Sequence, residues 1–153
     1  VGALVWTAMS ASSSSRATGV GRVLVAVYAI LAIAALGRSV FQIIDRFEEA
    51  PIAFSLSAAS AVVYVIATIA LAAGWDRLAW ITVSFELAGV LIIGALSMIA
   101  PQVLGLESAD PFGREATVWS AFGAGYLLIP LVLPALGILW LQRRRRWRVA
   151  SEA

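Results

Sequence analysis

The sequence predicts an all-α polytopic membrane protein, a four-transmembrane-helix antiparallel bundle with both termini in the cytoplasm. Three observations predict it. Of 153 residues, 61% are hydrophobic and 13% charged, far from the balance of a soluble globular domain. The apolar residues gather into four stretches, 23–44, 52–73, 78–100 and 117–141. Each supplies the roughly 20 residues that a bilayer core of ~30 Å requires, and none shows the alternation over ~10 residues of a barrel strand. The third observation is the placement of arginine. With the N-terminus inside, the cytoplasmic face carries Arg16, Arg22, Arg77, Arg143, Arg144, Arg145, Arg146 and Arg148, and the outer loops hold only Arg46 and Arg114. The acids Asp45, Glu48, Glu49, Glu107, Asp110 and Glu115 then fall outside, as the positive-inside bias expects. Trp75, Trp80 and Trp140 fall at the inner interface and Trp119 at the outer one.

Absent residue types exclude much chemistry. The chain has no cysteine and no histidine, and its eleven basic residues are all arginine. Thiol catalysis, thiolate or imidazole metal sites, histidine-based hydrolysis and lysine-linked cofactors are therefore ruled out. The reading is of a chain that is not an enzyme, with no catalytic residues, no cofactor and no metal. An alanine-rich chain with arginine in place of lysine also suggests the coding bias of a high-GC bacterium, and so a multi-pass protein of a bacterial cytoplasmic membrane.

In chain order, residues 1–18 join a short apolar patch to the serine run Ser10–Ser15 and are expected to form a disordered cytoplasmic leader. The membrane domain occupies 19–142. Its first span runs outward with Tyr28 in the inner half and Arg38 and Gln42 in the outer half. The acidic loop Asp45–Pro51 turns the chain, and Pro51 suits the first turn of a helix, where its missing N–H is not needed. The second span places Ser57, Ser60, Tyr64 and Thr68 at spacings of three, four and four, hence on one face. That face suits either interhelical hydrogen bonds or a polar lining. After the tight turn Gly74–Arg77, the third span puts Thr82, Glu86, Gly89, Ile93 and Ser97 on one face. A carboxylate facing lipid at that depth costs on the order of 3 kcal/mol or more, so Glu86 must face protein, protonated or paired. The outer loop 101–116 is rich in proline and glycine. The fourth span follows with Gly123, Gly125 and Tyr126, and should kink at Pro130 and Pro134. Residues 143–153 form a basic tail, whose Arg143, Arg144, Arg145, Arg146 and Arg148 are expected to contact anionic lipid headgroups. No nucleic-acid-binding domain accompanies that cluster.

Depth decides which buried groups can meet. From the span midpoints, Tyr64 lies ~2 Å and Glu86 ~4.5 Å to the inner side, and Arg38 ~7 Å to the outer side. A Glu86–Tyr64 contact is therefore expected, with Arg38 matched to Ser57, Ser60 and Tyr126 or reaching the outer interface. Functionally, the chain reads as a non-catalytic membrane subunit or scaffold, self-associating or part of a larger membrane complex. The alternative is a small-solute or proton-coupled carrier with Glu86 as the titrating group.

The segments Arg38-Ser39-Val40-Phe41-Gln42, Ala50-Pro51, Ser55-Leu56-Ser57, Val118-Trp119-Ser120, Phe122-Gly123, Gly125-Tyr126 and Pro130-Leu131-Val132-Leu133-Pro134 resemble a group of uncharacterised four-span actinobacterial integral membrane proteins. The likeness covers roughly residues 22–141. It implies bacterial origin and four spans, and no chemistry.

Overall fold

Long runs of alanine, leucine, isoleucine and valine with few breakers become helices, and the breakers set their ends. The computed structural model describes residues 2–108, 110, 112, 113 and 116–153, with backbone alone for residues 4–18. Arg114 and Glu115, placed outside from the sequence, lie beyond those residues. Helix α1 spans Gly2–Arg46. It thus runs back through the stretch expected to be a disordered leader, which is rich in alanine, the best helix former, and holds no proline. Helix α2, Pro51–Ala73, starts on its proline and ends at Gly74, whose φ of 73° lets its N–H close on the Ala70 carbonyl. Helix α3, Asp76–Ile99, follows at once. A 3₁₀ turn at Pro101–Leu104 then leads away through Gly105 at φ 70°.

The fourth stretch departs from expectation. Instead of one kinked helix over 117–141, the chain forms a 3₁₀ segment, Ser120–Tyr126, and then helix α4, Ile129–Glu152. The two meet at 99°. Glycine and proline together account for the break. Gly123 takes φ 81° beside Ala121 and Phe122 at 46° and 58°, and Leu127 and Leu128 are left-handed at 56° and 60° just before Pro130. Each such non-glycine residue costs roughly 1–2 kcal/mol, so surrounding contacts must hold the break open. Helix α4 also continues through the arginines, so the basic tail is an extension of the helix.

The fold is therefore all-α, with three helical segments long and apolar enough to cross a membrane, Gly19–Arg46, Pro51–Ala73 and Asp76–Ile99, or four if the broken pair counts as one span. The helices close a ring in chain order, α1 on α2, α2 on α3, α3 on the fourth element, and α4 back on α1. Small residues permit the close approach. Ala35, Ala53, Ala67 and Ala70 are fully buried, whereas Ile30, Ile33, Ile44, Ile81 and Phe85 point outward, as lipid-facing positions should.

Helix α3 is the wall on which the broken element rests. Gly137 of α4 faces Val83 on one half of α3, while Trp119 and Phe122 cover Gly89 and Gly94 on the other. A Cβ at Gly94 would stand 2.6 Å from the Phe122 ring and 2.8 Å from its backbone nitrogen. Gly94→Ala is accordingly expected to destabilise the protein by about 1–3 kcal/mol, measured by denaturant unfolding in mixed micelles. Gly37→Ala, where a Cβ meets nothing within 4 Å, should change stability by less than about 1 kcal/mol.

Candidate functional site

A carboxylate on the buried face of α3 needs a donor, and one comes from a helix to which the sequence reading did not assign it. Glu86 is fully buried, and its Oε2 accepts a hydrogen bond of 2.8 Å from the Tyr28 hydroxyl of α1. Its Oε1 has no hydrogen-bond partner. Tyr64, the expected neighbour of Glu86, lies near enough for the two to interact electrostatically but does not supply the hydrogen bond. Tyr64, also fully buried, instead accepts a bond of 2.8 Å from Trp119 Nε1. The Tyr28 and Tyr64 rings are neighbours, 6.4 Å between centroids and inclined at 52°, so Tyr64 packs against the residue that serves Glu86. Depth admits Tyr28 without singling it out. It lies ~8 Å inside the midpoint of its predicted span, within ~4 Å of the Glu86 level. Gly137 of α4 adjoins the pair, its closest approach being to Val83, where a Cβ would stand 3.2 Å from Cγ1.

Trp119 is the second correction. Expected at the outer interface, it is 3% exposed, because the break turns the chain inward and Gly89 leaves space for its ring. A Cβ on Gly89 would stand 2.7 Å from that ring. The backbone around Trp119 is held by side chains. Thr117 N–H donates to Ser120 Oγ at 2.9 Å and Trp119 N–H to Thr117 Oγ1 at 3.2 Å. Ser97 of α3 accepts from the Ala121 N–H at 2.8 Å while donating to its own Gly94 carbonyl at 2.8 Å.

The polar face of α2 does point inward, with Ser57 and Ser60 buried, but its hydroxyls mostly serve their own helix. Ser60 donates to the Ser57 carbonyl and Thr68 to the Tyr64 carbonyl, each at 2.7 Å, the usual competition of short hydroxyl side chains for nearby backbone. Ser57 Oγ is buried without a partner. Neither serine receives Arg38. That guanidinium donates to the Ala116 carbonyl at 2.8 Å and, at 3.4 Å, to that of Gly113. It also lies 5.9 Å from the centre of the Tyr126 ring, the one expected partner it meets. It joins α1 to Gly113 and Ala116, and no ion pair with Glu86 is formed among the described residues.

At the opposite end, Arg144 and Arg148, one turn apart on α4, reach Asp76 at 3.3 and 2.8 Å. Arg144 also stacks 5.3 Å from the Trp140 ring centre. Two of the five arginines expected at lipid headgroups thus make tertiary contacts, while Arg143, Arg145 and Arg146 are exposed. Among the described residues no three acidic side chains converge as a metal site would require.

No family model, curated protein or solved structure matches the chain.

Among the described residues, two buried side-chain to side-chain hydrogen bonds join different helical elements, Tyr28–Glu86 and Trp119–Tyr64. Tyr28→Phe leaves the buried carboxyl without its donor and should cost about 1–3 kcal/mol. Trp119→Phe, removing one ordinary bond in a membrane interior, should cost about 0.6 kcal/mol. Unfolding in mixed micelles measures both, and Tyr28→Phe should be clearly the worse of the two.

Proposed function

We propose that the chain is a non-catalytic integral membrane subunit or scaffold that self-associates or serves a larger complex. One observation carries this reading: the buried polar groups link elements of the fold to one another. Tyr28–Glu86 joins α1 to α3, Trp119–Tyr64 joins the 3₁₀ segment to α2, and Ser97–Ala121 joins that segment to α3. Groups engaged in this way fix helix register and position. The exposed isoleucine and phenylalanine side chains of α1 and α3 offer surface to lipid or to a partner helix. The all-arginine basic set and the likeness to four-span actinobacterial proteins support a bacterial cytoplasmic membrane with both termini inside. The closeness of Gly21 to Trp140, and of Gly74 to Arg144, supports the placement of the start of the first span and the end of α4 on one side.

A second reading, the proton-coupled carrier, is favoured by the unpartnered Glu86 Oε1, which leaves a fully buried carboxyl with accepting capacity to spare. Flux under an imposed pH gradient separates the two. Proteoliposomes containing wild type or Glu86→Gln are expected to leak protons at the same background rate. Proton flux present in wild type and abolished in a folded Glu86→Gln would replace the subunit by the carrier. A reporter fused after Glu152 is expected to behave as cytoplasmic, and a periplasmic signal would reverse the orientation.

A further inference from the structure

The turn between α2 and α3, Gly74-Trp75-Asp76-Arg77, holds an acid at the basic end of the bundle, where an anionic ligand would be repelled by it. The two α4 arginines remove that obstacle. Asp76 lies 3.3 Å from Arg144 and 2.8 Å from Arg148, so one carboxylate sits between two guanidinium groups and the cluster is positive by one charge. Exposed Arg77 adds another. The same turn borders a shallow groove lined by Trp75, Asp76, Arg77, Leu78 and Ile81, in which Trp75 is 57% and Ile81 60% exposed. Along α3 the order is charge and indole at the rim, then Leu78 and Ile81 one turn further in. That order matches an amphiphile with an anionic head: phosphate at the rim, indole at the interfacial level, acyl chain along the apolar face.

We propose that this groove binds an anionic phospholipid, its phosphate held by Arg77 and by Arg148, whose side chain is 55% exposed despite its pairing with Asp76. The acyl chain lies along Leu78 and Ile81. Asp76 is the internal counter-anion that keeps Arg144 and Arg148 beside the groove. The site therefore depends on contact between the α2–α3 turn and α4, and includes Arg77, which lies outside the run of tail arginines. It does not depend on the subunit reading. A zwitterionic lipid offers the same phosphate with a cationic group that the arginines repel.

The test is native mass spectrometry of the full chain in detergent, titrated with phosphatidylglycerol or phosphatidylcholine of equal chain length. Wild type should retain phosphatidylglycerol preferentially. The double variant Arg77→Gln/Arg148→Gln should lose about twenty-five-fold in that retention, at about fivefold for each arginine. Arg77→Lys/Arg148→Lys, keeping the charges, should retain most of it, and Arg46→Gln at the opposite end should change nothing. Equal retention of both lipids by wild type, unchanged retention in the glutamine pair, or equal loss in the glutamine and lysine pairs would overturn the site.

Discussion

A backbone that leaves helical geometry inside an apolar phase must find its hydrogen bonds within the protein, because lipid offers none. This chain leaves it at 117–128, and the rest of the interior is arranged around that departure. Ser97 takes the Ala121 N–H, and Thr117 and Ser120 satisfy each other and Trp119. Two glycines of α3 let Trp119 and Phe122 lie against its backbone. The left-handed leucines that follow are exposed, and their N–H groups close on the Ala124 and Gly123 carbonyls of the element that Trp119 and Phe122 hold against α3. The broken element is therefore a product of tertiary contact more than of local sequence preference.

The same constraint explains why the polar side chains sit where they do. A buried carboxylate, a buried indole N–H and two buried phenols are each expensive in hydrocarbon unless matched, and here they are matched across different elements. Tyr28 brings α1 to Glu86, and Trp119 brings the broken segment to Tyr64. With the two tyrosine rings in contact, four segments meet in a volume a few side chains across. Arg38 acts in an analogous way further along α1, closing the Gly113 and Ala116 carbonyls onto that helix.

Much of this was legible in the sequence, and the reasons for the misses are physical. The three unbroken spans follow from apolar length alone, and the burial of Ser57, Ser60, Tyr64, Glu86 and Ser97 follows from shared helical faces. The pairing of Glu86 did not follow, because a depth estimate ranks candidates by height and is blind to which helices adjoin. By height Tyr64 is nearer to Glu86 than Tyr28 is, and the adjacency of α1 and α3 at that level carries no signal in the sequence. Trp119 was misplaced because an indole near a predicted span end reads as an interfacial anchor. Only the break, written in Gly123, Gly125, Pro130 and their neighbours, turns it inward. The sequence marks Pro130 and Pro134 as kink positions; Pro134 lies inside α4, the break falls before Pro130, and nothing local specifies a right angle.

Helix α4 is, by itself, short of a full span. Its apolar part, 129–142, stops at the arginines and is ~21 Å long, well short of the ~30 Å hydrocarbon layer. A segment of that length has no stable position in lipid by itself. It becomes a membrane element only once α3 is in place to receive Gly137 and the α2–α3 turn is there to receive Arg144 and Arg148. Helix α4 thus owes its place in the bundle to α3 and to the α2–α3 turn.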